Sequence, residues 1–522
     1  MGLTSNRSQL SRRSAVLKVL ALKILFIYPD VLFHRPDWGG YFYVGVGLLS
    51  AVLKQDGHET ALFHIRDRIP ESEFVARVEA ERPDLIAYSS TSHMFPLVKA
   101  FSAWLVKAGV QVPSVCGGIH ATIAPEEVIA TPGVDIVCRG EGEEALRELC
   151  AAMRDGHDVG NIRNLWIKRG DGVEKNPLRP LIQDLDRLPF PDRSIFDYAN
   201  LYAEREGRGS FMVARGCPYG CTYCCNHLVR KIYNDSSGKI RYRSVDHVLT
   251  EIKQVIQQYP FITRLIFDDD ILFLNRRWAE EFSGRYPVEV GLPFGCNARA
   301  NLVDPGMVEL LKRAGCYLIK FGIESGSETI VNEVLQRHLT NDDIRRAFSL
   351  SRQAGFITES FNMIGIPYET PARILETIKL NAQVGVDQMQ VTIYQPYQGT
   401  ALAELCRERG FLRDPDRKDL ETDFFSPSEV QLDTVTRAQT MMFRNYFKIM
   451  VRCYQFLCRR SSLSGAIRIL DRILQQPTTA SILNFCYSPL NYVFRKAQLL
   501  RTKLTVWRIR RFAPAGVRQQ AT

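Results

Sequence analysis

No run of about 18 uninterrupted apolar residues occurs along the chain, so no transmembrane helix is expected. A secretory leader is not expected either. Arg7, Arg12, Arg13 and Lys18 are not followed by a continuous apolar segment, because Lys23 interrupts the run and Tyr28-Pro29-Asp30 ends it. That pattern reads as a buried strand behind a basic leader. There is no disulfide framework: the thirteen cysteines are odd in number and irregularly spaced. Mostly free thiols in a reducing compartment are expected. The composition does not suit a disordered or fibrous protein, with 45% hydrophobic and 24% charged residues. Acids are nearly missing from one segment, Arg444–Thr522, which carries fifteen Lys and Arg against Asp471 alone. The net charge of +10 therefore belongs to the tail, and the rest of the chain is net acidic. At 522 residues, two or three domains are expected.

What is present is a dense cysteine loop, Arg215-Gly216-Cys217-Pro218-Tyr219-Gly220-Cys221-Thr222-Tyr223-Cys224-Cys225. Cys217, Cys221 and Cys224 stand at C-x3-C-x2-C spacing behind a short apolar run. Three thiolates at this spacing suit an iron–sulfur cluster with one iron left open. Two alternatives remain at this level: a Cys3His zinc site that includes His227, and buried structural thiols.

Around the loop, strand and helix patterns alternate. Apolar runs at 22–28, 60–63, 84–89, 112–116 and 134–138 read as strands. Helical spacing at 44–55, 73–81, 96–108, 125–130 and 143–154 separates them. The expected fold for residues 1–155 is a doubly wound, flavodoxin- or Rossmann-like parallel sheet. Ligands of such sheets lie at the carboxyl ends of the strands. Those ends are Ser89-Ser90-Thr91-Ser92-His93, Gly117-Gly118-Ile119-His120 and Arg139-Gly140-Glu141-Gly142-Glu143. Ordinary turn chemistry is the competing account of their Gly and Ser content. Residues 156–208 read as a connector with a hairpin about Arg169-Gly170-Asp171-Gly172.

Residues 209–415 repeat a βα unit six times, with strands expected at 211–214, 264–267, 293–296, 317–321, 357–364 and 388–394. A partial (β/α)6 barrel of TIM type places chemistry at its C-terminal strand ends. Polar residues recur there: the cysteine loop, Asp268-Asp269-Asp270, Asn297 with Arg299, Glu324-Ser325 and Gly365-Ile366-Pro367. A solvated turn is the plain alternative for the acid triplet.

Several stretches together resemble the cobalamin-binding branch of the radical S-adenosylmethionine (radical SAM) superfamily. They are the cysteine triplet with Tyr223, Phe267–Asp270, Cys296-Asn297-Ala298-Arg299, Gly322–Ser327, Met363–Pro367, and in the first domain Gly45-Val46-Gly47, Gly57-His58-Glu59, Gly117–Thr122 and Arg139–Glu143. The branch includes class B methyltransferases and the anaerobic Mg-protoporphyrin ester cyclases. The resemblance disfavours zinc. It implies three cofactors: a 4Fe–4S cluster on Cys217, Cys221 and Cys224, S-adenosyl-L-methionine, and cobalamin. The cluster cleaves S-adenosylmethionine to a 5′-deoxyadenosyl radical that abstracts hydrogen from an unactivated carbon.

The resemblance also assigns roles. Tyr223 and Gly365 lie by the adenine. Arg299, Glu324 and Ser325 face the methionyl or ribose part, with Asp268 as a further candidate. Ser90, Thr91, Gly117, Gly118, His120, Gly140 and Glu141 line the cobalamin. Asp30-x3-His34 departs from the D-x-H-x-x-G pattern that puts a histidine on cobalt, so no lower histidine ligand is expected. His34, His93 and His120 are expected to hydrogen-bond or face solvent. Cys225 is expected not to be a ligand, and Cys296 and Cys316 to be core residues.

Residues 416–522 read as a helical extension, with helices at 434–456 and 466–475 and a basic segment at Asn491–Phe512. A solvated cap over the barrel mouth and a peripheral membrane contact at the inner surface both suit that segment. Nucleic acid is not expected, since no recognised module accompanies it. The expected activity is radical C-methylation of a small or lipid-like metabolite in the cytoplasm, with a flavodoxin- or ferredoxin-type electron donor. A non-methylating radical cyclase or rearrangement enzyme is the alternative, and a non-catalytic cobalamin sensor or carrier is a third reading. A tRNA methylthiotransferase is disfavoured because Cys116, Cys138 and Cys150 form no second triplet.

Overall fold

The computed structural model describes residues 21–32, 38–235, 237–412, 425–459 and 463–487. The basic leader, His34 and the basic segment 491–512 lie outside the described residues.

The first unit runs β1 (Lys23–Pro29), α1 (Val44–Gln55), β2 (Glu59–Ile65), α2 (Glu71–Glu81), β3 (Leu85–Ser89), α3 (Phe95–Lys107), β4 (Ser114–Gly117), α4 (Ile119–Ile123), α5 (Pro125–Ala130), β5 (Ile136–Cys138) and α6 (Glu143–Asp155). The chain then forms a hairpin, β6 (Leu165–Arg169) and β7 (Gly172–Lys175). The sheet order is β2-β1-β3-β4-β5-β6-β7. The first five strands are parallel, as the apolar runs require. The hairpin does not stand apart in the connector: it adds to the sheet antiparallel at β5. Trp166 lies under the Arg139 guanidinium and the Lys175 ammonium, which seals that edge.

The second unit runs β8 (Arg208–Phe211), β9 (Ala214–Arg215), α7 (Cys225–Ile232), β10 (Arg241–Tyr242), α8 (Val245–Gln258), β11 (Arg264–Phe267), α9 (Arg276–Glu289), β12 (Phe294–Ala298), α10 (Pro305–Ala314), β13 (Cys316–Glu324), α11 (Asn341–Gln353), β14 (Ile357–Ile364), α12 (Pro371–Val384), β15 (Gln388–Ile393) and α13 (Ala401–Glu408). Six parallel strands stand in the order β15-β14-β13-β12-β11-β8. This is the expected open barrel. Local chemistry fixes its helices. Ser244, Asp304, Thr340 and Thr370 each accept a backbone N–H at a helix start, and Gly315 and Gly385 close α10 and α12 in left-handed conformation.

One expected boundary shifts. The first barrel strand ends at Phe211 rather than Ala214, because Ala214 and Arg215 pair with β10 instead. Two further helices, α14 (Arg437–Leu457) and α15 (Ser464–Leu474), match the expected tail helices. α14 buries Phe443, Phe447 and Val451 in the core shared with α12 and β15, so it continues the helical layer around the β15 edge. Among the described residues, no helix is long and apolar enough to cross a membrane.

Candidate active site

The cysteine loop leaves β8 under tight control. The backbone N–H groups of Val213 and Ala214 donate to Asp269 Oδ1 at 3.0 and 2.6 Å. Asp269 is buried, and burial pushes its carboxyl up to about 7 despite those bonds. Asp269 is therefore not part of a solvated turn, whereas Asp268 and Asp270 on either side keep exposed surface. Asn297 Nδ2 donates to the Asp269 carbonyl (2.8 Å), and Asp270 accepts from Asn226 Nδ2 (2.7 Å). Farther along, Thr222 N–H donates to the Leu335 carbonyl (3.1 Å), and the Thr222 hydroxyl donates to the Val334 carbonyl (2.7 Å). Arg230 Nη1 holds the Pro218 carbonyl at 2.6 Å. The loop is thus tied to the exits of β11 and β13 and to the helix that follows it.

Burial pushes the Cys217 thiol up to about 11 and also raises Cys221, against the pull of Arg337 and Arg299. Cys224 is raised by its hydrogen bond with the Cys225 thiol and by burial. Such thiols ionise when a cationic metal centre compensates the charge. Among the described residues, no three His, Cys, Asp or Glu groups converge tightly enough to hold one metal ion. The three thiols sense one another electrostatically on one loop, and three cysteines so placed suit a cluster in which each binds its own iron.

Beside the loop, Arg337 organises the end of β13. Its Nη1 donates to Tyr223 Oη (2.5 Å) and Glu324 Oε1 (2.9 Å), and its Nη2 donates to the Gly322 carbonyl (2.8 Å). Burial raises the Glu324 carboxyl above its ordinary value, against the pull of Arg337. Glu324 itself has φ +62°, in the left-handed region that a non-glycine residue seldom adopts. Arg299 lies 3.7 Å over the Tyr219 ring and donates to the Arg337 carbonyl. Cys221, Tyr223, Arg299 and Glu324 are thus gathered at one end of the barrel.

Other expected residues have different surroundings. Ser325 is fully buried, and its hydroxyl meets Thr377 of α12 at 3.4 Å, on the helix side of the sheet. Gly365 N–H donates to Glu369 Oε2 (2.7 Å), and burial pushes that carboxyl up to about 8. Ile366 shares an apolar cluster with Tyr223. Asp268 lies lower in the lumen, where burial raises its carboxyl while Lys320 and Arg208 pull it down. Arg337 and Glu369 escaped the sequence reading, and Asp269 was read only as part of the acid triplet. The available signal was the need of a buried carboxylate or phenol for a partner, but sequence distance hides which residue supplies it.

In the first unit, Ser90, Thr91, Gly117 and Gly118 meet at the ends of β3 and β4. Gly118 has φ +95°, and a Cβ there would lie 2.5 Å from the Ser90 carbonyl, so only glycine fits. The buried Ser90 hydroxyl has only the weak Cys116 thiol beside it, which leaves it able to serve a polar ligand at this edge. Thr91 Oγ1 and His93 Nδ1 share a hydrogen bond (2.9 Å). His120 does not face solvent: it is buried, bonded to Ser92 Oγ at 3.1 Å and packed on Phe95.

The Glu141 carboxylate is already engaged by the barrel unit. Glu141 Oε1 accepts from Arg215 Nη1 (2.8 Å) and Arg241 Nη1 (2.7 Å), while Oε2 accepts from Ile182 N–H (2.7 Å). Arg215 Nη2 also donates to Glu143 Oε1 at 2.5 Å. A Cβ on Gly140 would fall 1.7 Å from Tyr233 Oη, which accepts the Glu141 N–H at 3.1 Å. α4 packs on α7 in the same joint. The loop after β5 therefore grips both ends of the cysteine loop region.

Comparison with known families finds two domains in the chain. A B12 binding domain profile matches residues 41–150, and a radical SAM superfamily profile matches residues 211–380. The chain is a cobalamin-binding radical SAM enzyme. Its cofactors are cobalamin, S-adenosylmethionine and a 4Fe–4S cluster. The enzyme is 27% identical over 365 residues to an uncharacterized methyltransferase of Pyrococcus horikoshii, covering 69% of this chain and 77% of that one. It is 23% identical over 443 residues to the anaerobic magnesium-protoporphyrin IX monomethyl ester cyclase of Rubrivivax gelatinosus, covering 82% and 77%. In fold it resembles the radical SAM methyltransferase TsrM of Kitasatospora setae (TM-score 0.60, 19% identity, 76% and 79% covered). It also resembles the cobalamin-dependent radical enzyme OxsB (TM-score 0.64, 13% identity, 88% and 72% covered).

Proposed function

We propose that this enzyme transfers a methyl group to an unactivated carbon of a small-molecule substrate held at the mouth of the barrel. The observation that carries the reading is the joint itself. Arg215, the residue two before Cys217, is held by Glu141 and Glu143 of the cobalamin-domain loop. Two cofactor domains clasped this way keep a radical source and a methyl source at fixed separation.

Cys217, Cys221 and Cys224 hold the cluster, and Cys225 stays a hydrogen-bonding neighbour. Arg299, Glu324 and Tyr223 contact S-adenosylmethionine, with Arg337 fixing the Glu324 and Tyr223 rotamers. Ser90, Thr91, Gly117 and Gly118 line the cobalamin. Together the bound cofactors supply a carbon-centred radical and a transferable methyl group. The protein's part is to orient the substrate carbon and exclude water, which suits an enclosed lumen. A low-potential flavodoxin or ferredoxin delivers the electron in a reducing cytoplasm.

The similarity to a cyclase over 82% of the chain keeps a non-methylating radical cyclisation as the second reading. Anaerobic turnover with methyl-labelled S-adenosylmethionine separates them. A labelled product supports methylation, and an unlabelled product formed with 5′-deoxyadenosine supports cyclisation.

A further inference from the structure

A surface helix needs one apolar stripe to pack on its core, and α15 carries two. Its inner stripe is Ile467, Leu470 and Leu474, at i, i+3 and i+7, packed in the large core beside α12 and α14. Ile469 and Ile473, at i and i+4, stand on another face and are 60% and 49% exposed. Residues 477–487 are also helical and repeat the arrangement. Ala480, Leu483 and Tyr487 pack on the core, and the Tyr446 hydroxyl of α14 donates to the Leu483 carbonyl at 2.7 Å. Ile482 and Phe485, at i and i+3, are 64% and 88% exposed. Single apolar residues on a surface are ordinary, but four on consecutive turns of two joined helices mark a contact face.

The charge around this face is of one sign. Arg468 and Arg472 precede Ile469 and Ile473 and are exposed. The acid between them, Asp471, is turned inward: its carboxylate takes the Lys379 ammonium of α12 and the Tyr454 hydroxyl of α14. Together the packed helices α12, α14 and α15 carry eight Lys and Arg against Glu376 and Asp471. Residues 488–522, which follow directly in the chain, add another eight Lys and Arg and no acid.

Charge selects what covers such a face. A second copy would bring the same cationic helices against themselves, and residues 488–522 would add positive charge to a surface that is already positive. Both leave like charges together and uncompensated. An anionic bilayer meets both needs at once. Its headgroups attract the guanidinium groups, and its acyl boundary takes protruding Ile and Phe side chains without a preformed groove.

We infer that the outer faces of α15 and of residues 477–487 dock the enzyme on an anionic lipid bilayer. Ile469, Ile473, Ile482 and Phe485 enter the acyl boundary, and Arg468 and Arg472 stay with the headgroups. The contact is peripheral, since among the described residues no helix is long and apolar enough to cross a membrane. α12 and α14 separate this face from β14 and β15, so the inference stands apart from the cofactor assignments.

The test is flotation of the full reconstituted enzyme with protein-free vesicles at about 0.1 M salt. One set holds phosphatidylglycerol and phosphatidylcholine in equal parts, and the other phosphatidylcholine alone. The enzyme is expected to float with the anionic set and to bind the neutral set about tenfold more weakly. Two apolar pairs, Ile469→Ser with Ile473→Ser and Ile482→Ser with Phe485→Ser, are each expected to weaken binding about tenfold. Arg468→Gln with Arg472→Gln is expected to weaken it by about the same factor. Val288→Ser, at an exposed site on α9, is expected to leave it unchanged. All four variants alter exposed side chains and are expected to keep the cluster absorbance, and the arginine pair reads the same face if an apolar pair loses it. An enzyme that does not float with anionic vesicles overturns the proposal. So does flotation that the apolar and arginine pairs leave untouched, which would place the contact on residues 488–522 alone. Concentration-dependent dimers in light scattering that the apolar pairs dissociate would give the face to a second copy and overturn it as well.

Discussion

The Glu141–Arg215 contact gives the most direct test of how the two cofactor domains are held together. The Glu141 carboxylate is 15% exposed and bridges two guanidiniums at 2.8 and 2.7 Å. Replacing one partner of a buried pair costs about 3–5 kcal/mol when the other charge is stranded. Here the stranding is partial, because Arg215 keeps Glu143 and Arg241 keeps the Ile182 carbonyl. A charged hydrogen bond of about 1.5–3 kcal/mol is then the better measure. A double-mutant cycle with Glu141→Gln and Arg215→Gln should give a coupling of about 2 kcal/mol. The assay is urea unfolding of the anaerobically purified chain, followed by tryptophan fluorescence. Burial alone would raise the Glu141 carboxyl, but Arg215 and Arg241 bring it below its ordinary value. A lowered folded-state value stabilises above the unfolded carboxylate pKa of about 4.3 and is lost as pH falls through the folded value. The coupling should therefore be full at pH 7 and shrink below about pH 4. A coupling under about 0.5 kcal/mol at pH 7 would refute the idea that this pair fastens the domains.

Other expectations follow from the site. Cys217→Ser, Cys221→Ser and Cys224→Ser should each abolish the cluster's visible absorbance after reconstitution, while Cys225→Ser should retain it; equal loss in all four would mean the ligand set is misassigned. Arg337→Met should weaken S-adenosylmethionine binding about tenfold by equilibrium dialysis, since Glu324 and Tyr223 lose their common donor, and unchanged affinity would remove Arg337 from the site. Glu369, pushed up to about 8 by burial, binds a proton more tightly folded than unfolded. Its contribution is full below about pH 4.3 and lost as pH rises through about 8, so Glu369→Gln should flatten the fall in stability across that window.

Much of the architecture was legible because βα units announce themselves. The limits of α1, α8, α10 and α12 follow from apolar spacing bounded by cap residues and glycines. The short helices α4 and α7 were missed because five and eight residues carry too little periodicity, and both begin directly after motif residues that read as loop. The cysteine triplet was readable because its ligands are close in sequence. Arg337 and Glu369 were not, since their partners are fixed by the fold. Glu141 is the instructive case. Its motif marks the correct loop, but its carboxylate meets Arg215, 74 residues away in another domain, and no local pattern states that.

The joint has a consequence for how such chains can be recombined. Tyr233 needs the bare backbone of Gly140, and Arg215 and Arg241 need the two acids beside it. The two halves are therefore not interchangeable modules. A chimera that borrows the cobalamin half of a relative inherits a working interface only if a glycine and two acids arrive in the same order. Grafting the barrel half alone would bring two arginines and a tyrosine to a surface unprepared for them.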